Sequence, residues 1–188
     1  MQDQLIQSER PWVSVKVSIQ KPFTFDPEGG TIGLHFLLKN TGHSPAINTN
    51  IAAKIIFLWG NVLFFEEHAA LCDKLRQNVR TQVGMGIGYT IFPDEEISED
   101  RLLSWDRKEV DAAVLHLKEL PPFVLPALIG CVDYGFQFAQ GHHQTAFMFH
   151  LMIPDRAIGA PAGIEPLEKG EVPGVTLVRL LNIDNNAD

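Results

Sequence analysis

Cysteine is scarce in this 188-residue chain, which carries two, Cys72 and Cys131. They lie far apart, without the paired spacing of a zinc site or a thioredoxin-like motif. A free cysteine behaves as a small hydrophobe, so the pair reads as buried, inert thiols; a disulfide, which needs an oxidising compartment, is the alternative. Basic residues are also short, 15 Lys and Arg against 23 Asp and Glu for a net charge of −8. With no local run of Lys or Arg to concentrate positive charge, the surface repels phosphate and excludes nucleic acid as a partner. Long apolar runs are missing too. Ile51–Gly60 is interrupted by Lys54 and Pro122–Gly130 by Pro126, so neither spans a bilayer. The start, MQDQLIQSER, lacks the basic and apolar zones of a secretory signal. The expectation is a chain soluble by itself, with its localisation open. No G-x-S-x-G is present, and the one base in reach of a cysteine is His68, one helical turn before Cys72 on a face predicted to meet the core. No catalytic or cofactor signature therefore stands above background, and the expectation leans away from an enzyme without settling it.

What is present is a β pattern. Hydrophobic residues make up 45% of the chain, enough to bury one sizeable core. Thr31–Asn48 alternates Ile32, Leu34, Phe36 and Leu38 on one face, breaks at Asn40-Thr41-Gly42, and resumes through Pro45-Ala46-Ile47. Period-two alternation closed by Gly, Pro and Asn is how a half-buried antiparallel strand turns a corner. Trp12–Ile19 alternates Val13, Val15, Val17 and Ile19 in the same way, and Phe25–Gly30 is turn chemistry joining the two strands. A third strand, bent, is expected over Ala46–Leu58 with Ile47, Thr49, Ile51, Ala53, Ile55 and Phe57 on one face.

The period then changes. Phe64, His68, Leu71, Leu75 and Val79 recur at helical spacing over Phe64–Arg80, an amphipathic helix to be laid across a sheet edge or end. Val110, Val114 and Leu117 predict a second helix from about Asp106 to Leu120, stopped by Pro121-Pro122. Short strands are expected at Tyr89–Phe92 and Glu96–Leu103, then a hairpin of Val124–Phe138 and Gln144–Ile153 turning at Ala139–His143. Pro154–Gly174 holds four prolines and four glycines in 21 residues and reads as an irregular arm before a final edge strand. The prediction is a mainly β chain, an immunoglobulin-like antiparallel β-sandwich with one or two inserted helices. Its divisions are 1–10 as the end of an N-terminal helix or stalk, 11–153 as the sandwich, and 154–188 as the arm with its edge strand.

Three clusters carry metal- or phosphate-binding residue types. His142 and His143, with His150 further along and Asp133 or His35 to complete a set, are the candidates for a metal-dependent site. Adjacent residues of an extended chain point to opposite sides, so a solvated turn with a satisfied strand histidine is the preferred alternative. Gly84-Met85-Gly86-Ile87-Gly88 resembles a phosphate loop, but it follows a helix and precedes a strand, the reverse of the order such loops need. Asp94, Glu95, Glu96, Glu99 and Asp100 supply oxygen ligands without the glycine and spacing of a calcium loop, and read as a charged edge that blocks aggregation.

Arg10-Pro11-Trp12-Val13, Lys39–Ala46 and Gly130-Cys131-Val132-Asp133-Tyr134, taken as a set from Arg10 to about Ile153, resemble a family of uncharacterised bacterial, mostly proteobacterial, proteins. Its members carry an N-terminal transmembrane helix, a coiled-coil stalk and a globular β-rich domain. The resemblance implies a membrane-anchored protein, with MQDQLIQSE as the last turns of the stalk and the anchor missing. No activity attaches to the family, so it supplies no site residues. The Asn-Thr-Gly…Pro-Ala corner is also similar to junctions in immunoglobulin-like and late-embryogenesis-type sandwiches, which act chiefly in adhesion and binding. The expected function is a non-catalytic interaction domain of a bacterial membrane-associated protein. Its partner would be another protein or a second copy, met through the loops and the 154–174 arm. The alternative is a metal-dependent enzyme or metal binder at His142, His143 and His150.

Overall fold

The computed structural model describes residues 9–58, 64–81, 88–116, 121–137, 139–154 and 161–179. Residues 1–8 of the expected stalk end, residues 84–87 of the glycine loop, residues 117–120 of the second helical pattern, and Ile158 lie outside them.

Strands β1 (Val13–Asp26) and β2 (Gly29–Asn40) form an antiparallel hairpin in which Val13 opposes Asn40 and Asp26 opposes Gly29. The turn at Pro27-Glu28 is held by Asp26, whose Oδ1 accepts the Glu28 and Gly29 amides at 2.8 Å each. Strand β3 (Ala46–Leu58) crosses to a second sheet, β4 (Tyr89–Ile91) pairs with it, and β5 (Glu96–Asp106) returns to pair with β2. Strands β6 (Leu125–Phe136) and β7 (Ala139–Pro154) complete the second sheet beside β3. Late in the chain, β8 (Pro161–Ala162) and β10 (Thr176–Arg179) pair with β7, and β9 (Gly170–Val172) pairs with β1.

The two sheets run β5-β2-β1-β9 and β10-β7-β6-β3-β4. With β1, β2 and β5 as strands A, B and E, and β4, β3, β6 and β7 as C′, C, F and G, this is the immunoglobulin strand order. Helix α1 (Phe64–Thr81) is inserted between C and C′, and helix α2 (Arg107–Ala113) between E and F. The fold expected from the alternation is therefore present.

The core lies between the sheets. Leu34, Phe36, Leu38, Leu128, Val132 and Tyr134 are buried, with Val15, Val17 and Ile19 partly buried against them. At one end Trp105 stacks on Phe23 with ring centroids 4.5 Å apart and meets Phe57 edge-on. The corner after β2 is tied by Asn40, which is fully buried. Gly42 sits so close to the Arg10–Trp12 backbone that a Cβ would run into it, which is why glycine stands there, without needing a left-handed φ.

Several expectations are corrected. The β3 phase slips at a bulge between Ile47 and Asn50, where Asn48 takes φ 50°, so Ala46 rather than Ile47 faces inward before it. Helix α1 covers the outer face of β6 and β3 instead of a sheet edge. Helix α2 ends at Ala113 because Val114 turns extended at φ −62° and ψ 122°. The hairpin turns between Phe136 and Ala139, which pair with each other, so His142 and His143 belong to strand β7 and not to the turn. The 154–174 arm is partly regular: it carries β8 and β9, and buried Ile164 bridges to Val124.

Candidate functional site

Inward positions of β6 are even-numbered, so Ala127, Ile129, Cys131 and Asp133 point to the outer face, and all four are buried. A buried outer face needs a cover, and α1 provides it with the side its periodicity marks. His68 bonds through Nε2 to the Gly130 carbonyl at 2.9 Å, and Nε2 lies 3.7 Å from Cys131 Sγ. A carbonyl only accepts, so Nε2 carries the proton. One turn on, Cys72 is joined to Cys131 in a disulfide with Cα atoms 5.6 Å apart. The inert-thiol reading is thus overturned: the helix brings to the sheet a partner 59 residues away in sequence, which spacing alone does not show.

Beside the disulfide lies a second polar group. Asp133 is fully buried, and its carboxylate faces His142 Nδ1 at 2.6 Å, Gln144 Nε2 at 3.0 Å and Arg76 Nε at 3.9 Å. Gln144 Nε2 also donates to the Cys72 carbonyl at 2.9 Å, linking the two groups. This network ties α1 to β6 and β7 with charge neutralised inside it, which is what a buried carboxylate requires. Arg76 and Gln144 were not singled out in the sequence. The available signal was a glutamine within an apolar strand and an arginine one turn beyond Cys72, beside the apolar face of the helix.

The proposed histidine set does not converge. His142 and Asp133 meet, but His143 faces the other side of β7, packing near Tyr134 and Phe136 with centroids 6.0 Å away. His150 opposes Ala127 and Val178, eight positions further on, roughly 26 Å along an extended strand. Burial holds its pKa below the ordinary value. His35 is in the other sheet, its Nδ1 2.6 Å from Asp100 Oδ1. That bond, with one from Gln20, holds the Asp100 carboxyl below its ordinary range.

The acidic cluster disperses in the same way. Glu95 Oε2 accepts the Phe92 amide, Glu96 pairs with Lys39, Glu99 with Arg101 and Asp100 with His35. These acids mark the rim of the sandwich between β4 and β5. A groove of about 380 Å3 there is lined by Thr49, Asn50, Ile51, Gly88, Tyr89, Glu99 and Arg101. Tyr89 in its lining is 47% exposed and Phe92, just beyond β4, is 58% exposed, while Ile91 between them in the chain is fully buried. Of the phosphate-like loop, Gly88 alone is described, and it lines this groove. No helix among the described residues is long and apolar enough to cross a membrane.

Comparison with known proteins finds no matching family, no matching curated protein and no matching solved structure.

Proposed function

We propose that this chain is a non-catalytic interaction domain that binds a protein partner at the β4–β5 rim. The observation that carries this reading is the pair of large exposed aromatics, Tyr89 and Phe92, on either side of the core-anchored Ile91. Aromatic side chains held by a rigid backbone give contact area at small entropic cost, and such residues dominate binding energy at interfaces. The neighbouring β5 adds a second device. It ends its sheet, and among the described residues nothing pairs with the outer edge of its 11 residues. A free edge offers backbone donors and acceptors to an added strand, and the acids on β5 disfavour self-pairing while suiting a basic segment.

Presentation at a bacterial membrane belongs to the same proposal and rests on the family resemblance. An apolar run of about 20 residues upstream of Met1 in the gene's reading frame is the expectation.

The test is saturable capture of a protein by the immobilised chain, compared with the Tyr89→Ser/Phe92→Ser variant at matched thermal stability. The reading expects capture to be lost in the variant. Equal capture by both overturns it.

A further inference from the structure

We propose that reduction of the Cys72–Cys131 disulfide opens a metal site in which His68, Cys72 and Cys131 bind one thiophilic cation of the zinc class. The donor atoms of these three residues all lie within 4.8 Å of one another. A tetrahedral zinc with Zn–S near 2.3 Å and Zn–N near 2.0 Å sets its donors about 3.5–3.8 Å apart, so side-chain rotation alone closes the site. The frame already exists. His68 and Cys72 lie one turn apart on the same face of α1, and Cys131 faces them from β6. Its shape does not depend on the disulfide alone, because Gln144 joins the Cys72 carbonyl to Asp133, and Lys54 pairs with Glu67 on the first turn of α1.

The chemistry balances with a dithiol as reductant. Its thiolate attacks Sγ of Cys72, the less buried of the two cysteines, and the Cys72–Cys131 bond breaks with its electron pair leaving on Cys131. The second thiol of the reductant then displaces Cys72. The reductant ends as a disulfide, having given two electrons, and the two cysteines end as thiols with two protons. Metal binding releases those protons to water. His68 gives up its bond to the Gly130 carbonyl, moves its ring proton to Nδ1 and offers Nε2 to the cation. Two thiolates and one imidazole select zinc-class ions over calcium or magnesium, and water from the Cys72 side completes the shell.

This site is separate from the rim proposed for partner binding, so either can fail alone. The test uses the full chain, reduced with a phosphine, desalted without oxygen and titrated with Co2+. The expected result is one cobalt per reduced chain with a cysteinate charge-transfer band, displaced by Zn2+, and no band in the oxidised chain. His68→Gln should weaken cobalt binding at least tenfold with the β-type circular dichroism intact, and Cys72→Ser/Cys131→Ser should abolish the band. A reduced, folded chain without the band, an affinity indifferent to His68→Gln, or loss of fold on reduction overturns the proposal.

Discussion

Replacing Asn40 tests how the sandwich closes its first corner. Its side chain is fully buried and all four hydrogen-bonding positions are used. Oδ1 accepts the Trp12 amide at 3.2 Å and the Gly42 amide at 3.0 Å, while Nδ2 donates to the Ser44 carbonyl at 2.7 Å and the Ile91 carbonyl at 2.9 Å. The Asn40 backbone is bonded separately to Glu95 and Asp94, so a side-chain change leaves those bonds in place. Four bonds at about 1 kcal/mol each set an upper figure near 4 kcal/mol. Trp12 is partly exposed, and water can replace some of its share. Asn40→Ala should therefore cost roughly 2–4 kcal/mol, a fall of about 5–15 °C in Tm for a domain of this size. Asn40→Asp should cost more, since it keeps both acceptor bonds but sets a second oxygen against two carbonyls. Its deficit should shrink near pH 4, where a protonated carboxyl can donate to one of them. Urea unfolding at fixed m-value measures all three chains. An Asp variant as stable as wild type, or an Ala variant within about 0.5 kcal/mol of it, would refute the reasoning.

Other substitutions probe the layers on either side of the main sheet. Phe36 is fully buried 6.0 Å from the Phe147 ring, so Phe36→Ala should cost about 3–5 kcal/mol in the same unfolding assay, and near-wild-type stability contradicts the strand phase. Asp133→Ala removes the acceptor shared by His142 and Gln144 and the carboxylate that Arg76 faces, and should cost about 3–5 kcal/mol; a loss below about 1 kcal/mol would show that the network does not hold α1 down. Burial lowers the His150 pKa from 6.5, so the unfolded chain takes up this proton first as pH falls. Stability from this residue is complete above about pH 7 and is lost as pH drops through 6.5 toward the folded value. His150→Gln should flatten the difference in unfolding free energy between pH 7.5 and pH 5.5, and an unchanged pH slope removes that assignment.

The strands could be read from the sequence because each has one face in the core and one elsewhere, and period two survives in Ile32, Leu34, Phe36 and Leu38. α1 was legible for the same reason at helical period, through Phe64, His68, Leu71 and Leu75. Where a rule of alternation fails locally, the sequence misleads: the bulge at Asn48 inverts the start of β3 without any change in composition. The polar site was hidden for a different reason. Cys72, Asp133, His142 and Gln144 meet only because α1 lies on the outer face of β6, and a strand buried on both faces shows a continuous apolar run that does not reveal which side takes the helix. His142 was visible as a histidine, but the hairpin register that puts it opposite Gly135, and its ring against Asp133, depends on where the turn falls. The arm's anchors, Ile164 and Val172, could be seen as apolar residues; their burial follows from pairing with distant parts of the chain, Ile164 with Val124 and Val172 with Phe23.

Amide hydrogen exchange on the chain, free and inside the assembly it forms with a captured partner, tests the central claim most directly. The account predicts new protection at Gly88–Phe92 and along Glu96–Asp106, with the α1 face of the second sheet unchanged. Protection confined to α1 and the His142–Asp133 region, with the β4–β5 rim exchanging as in the free chain, would contradict it.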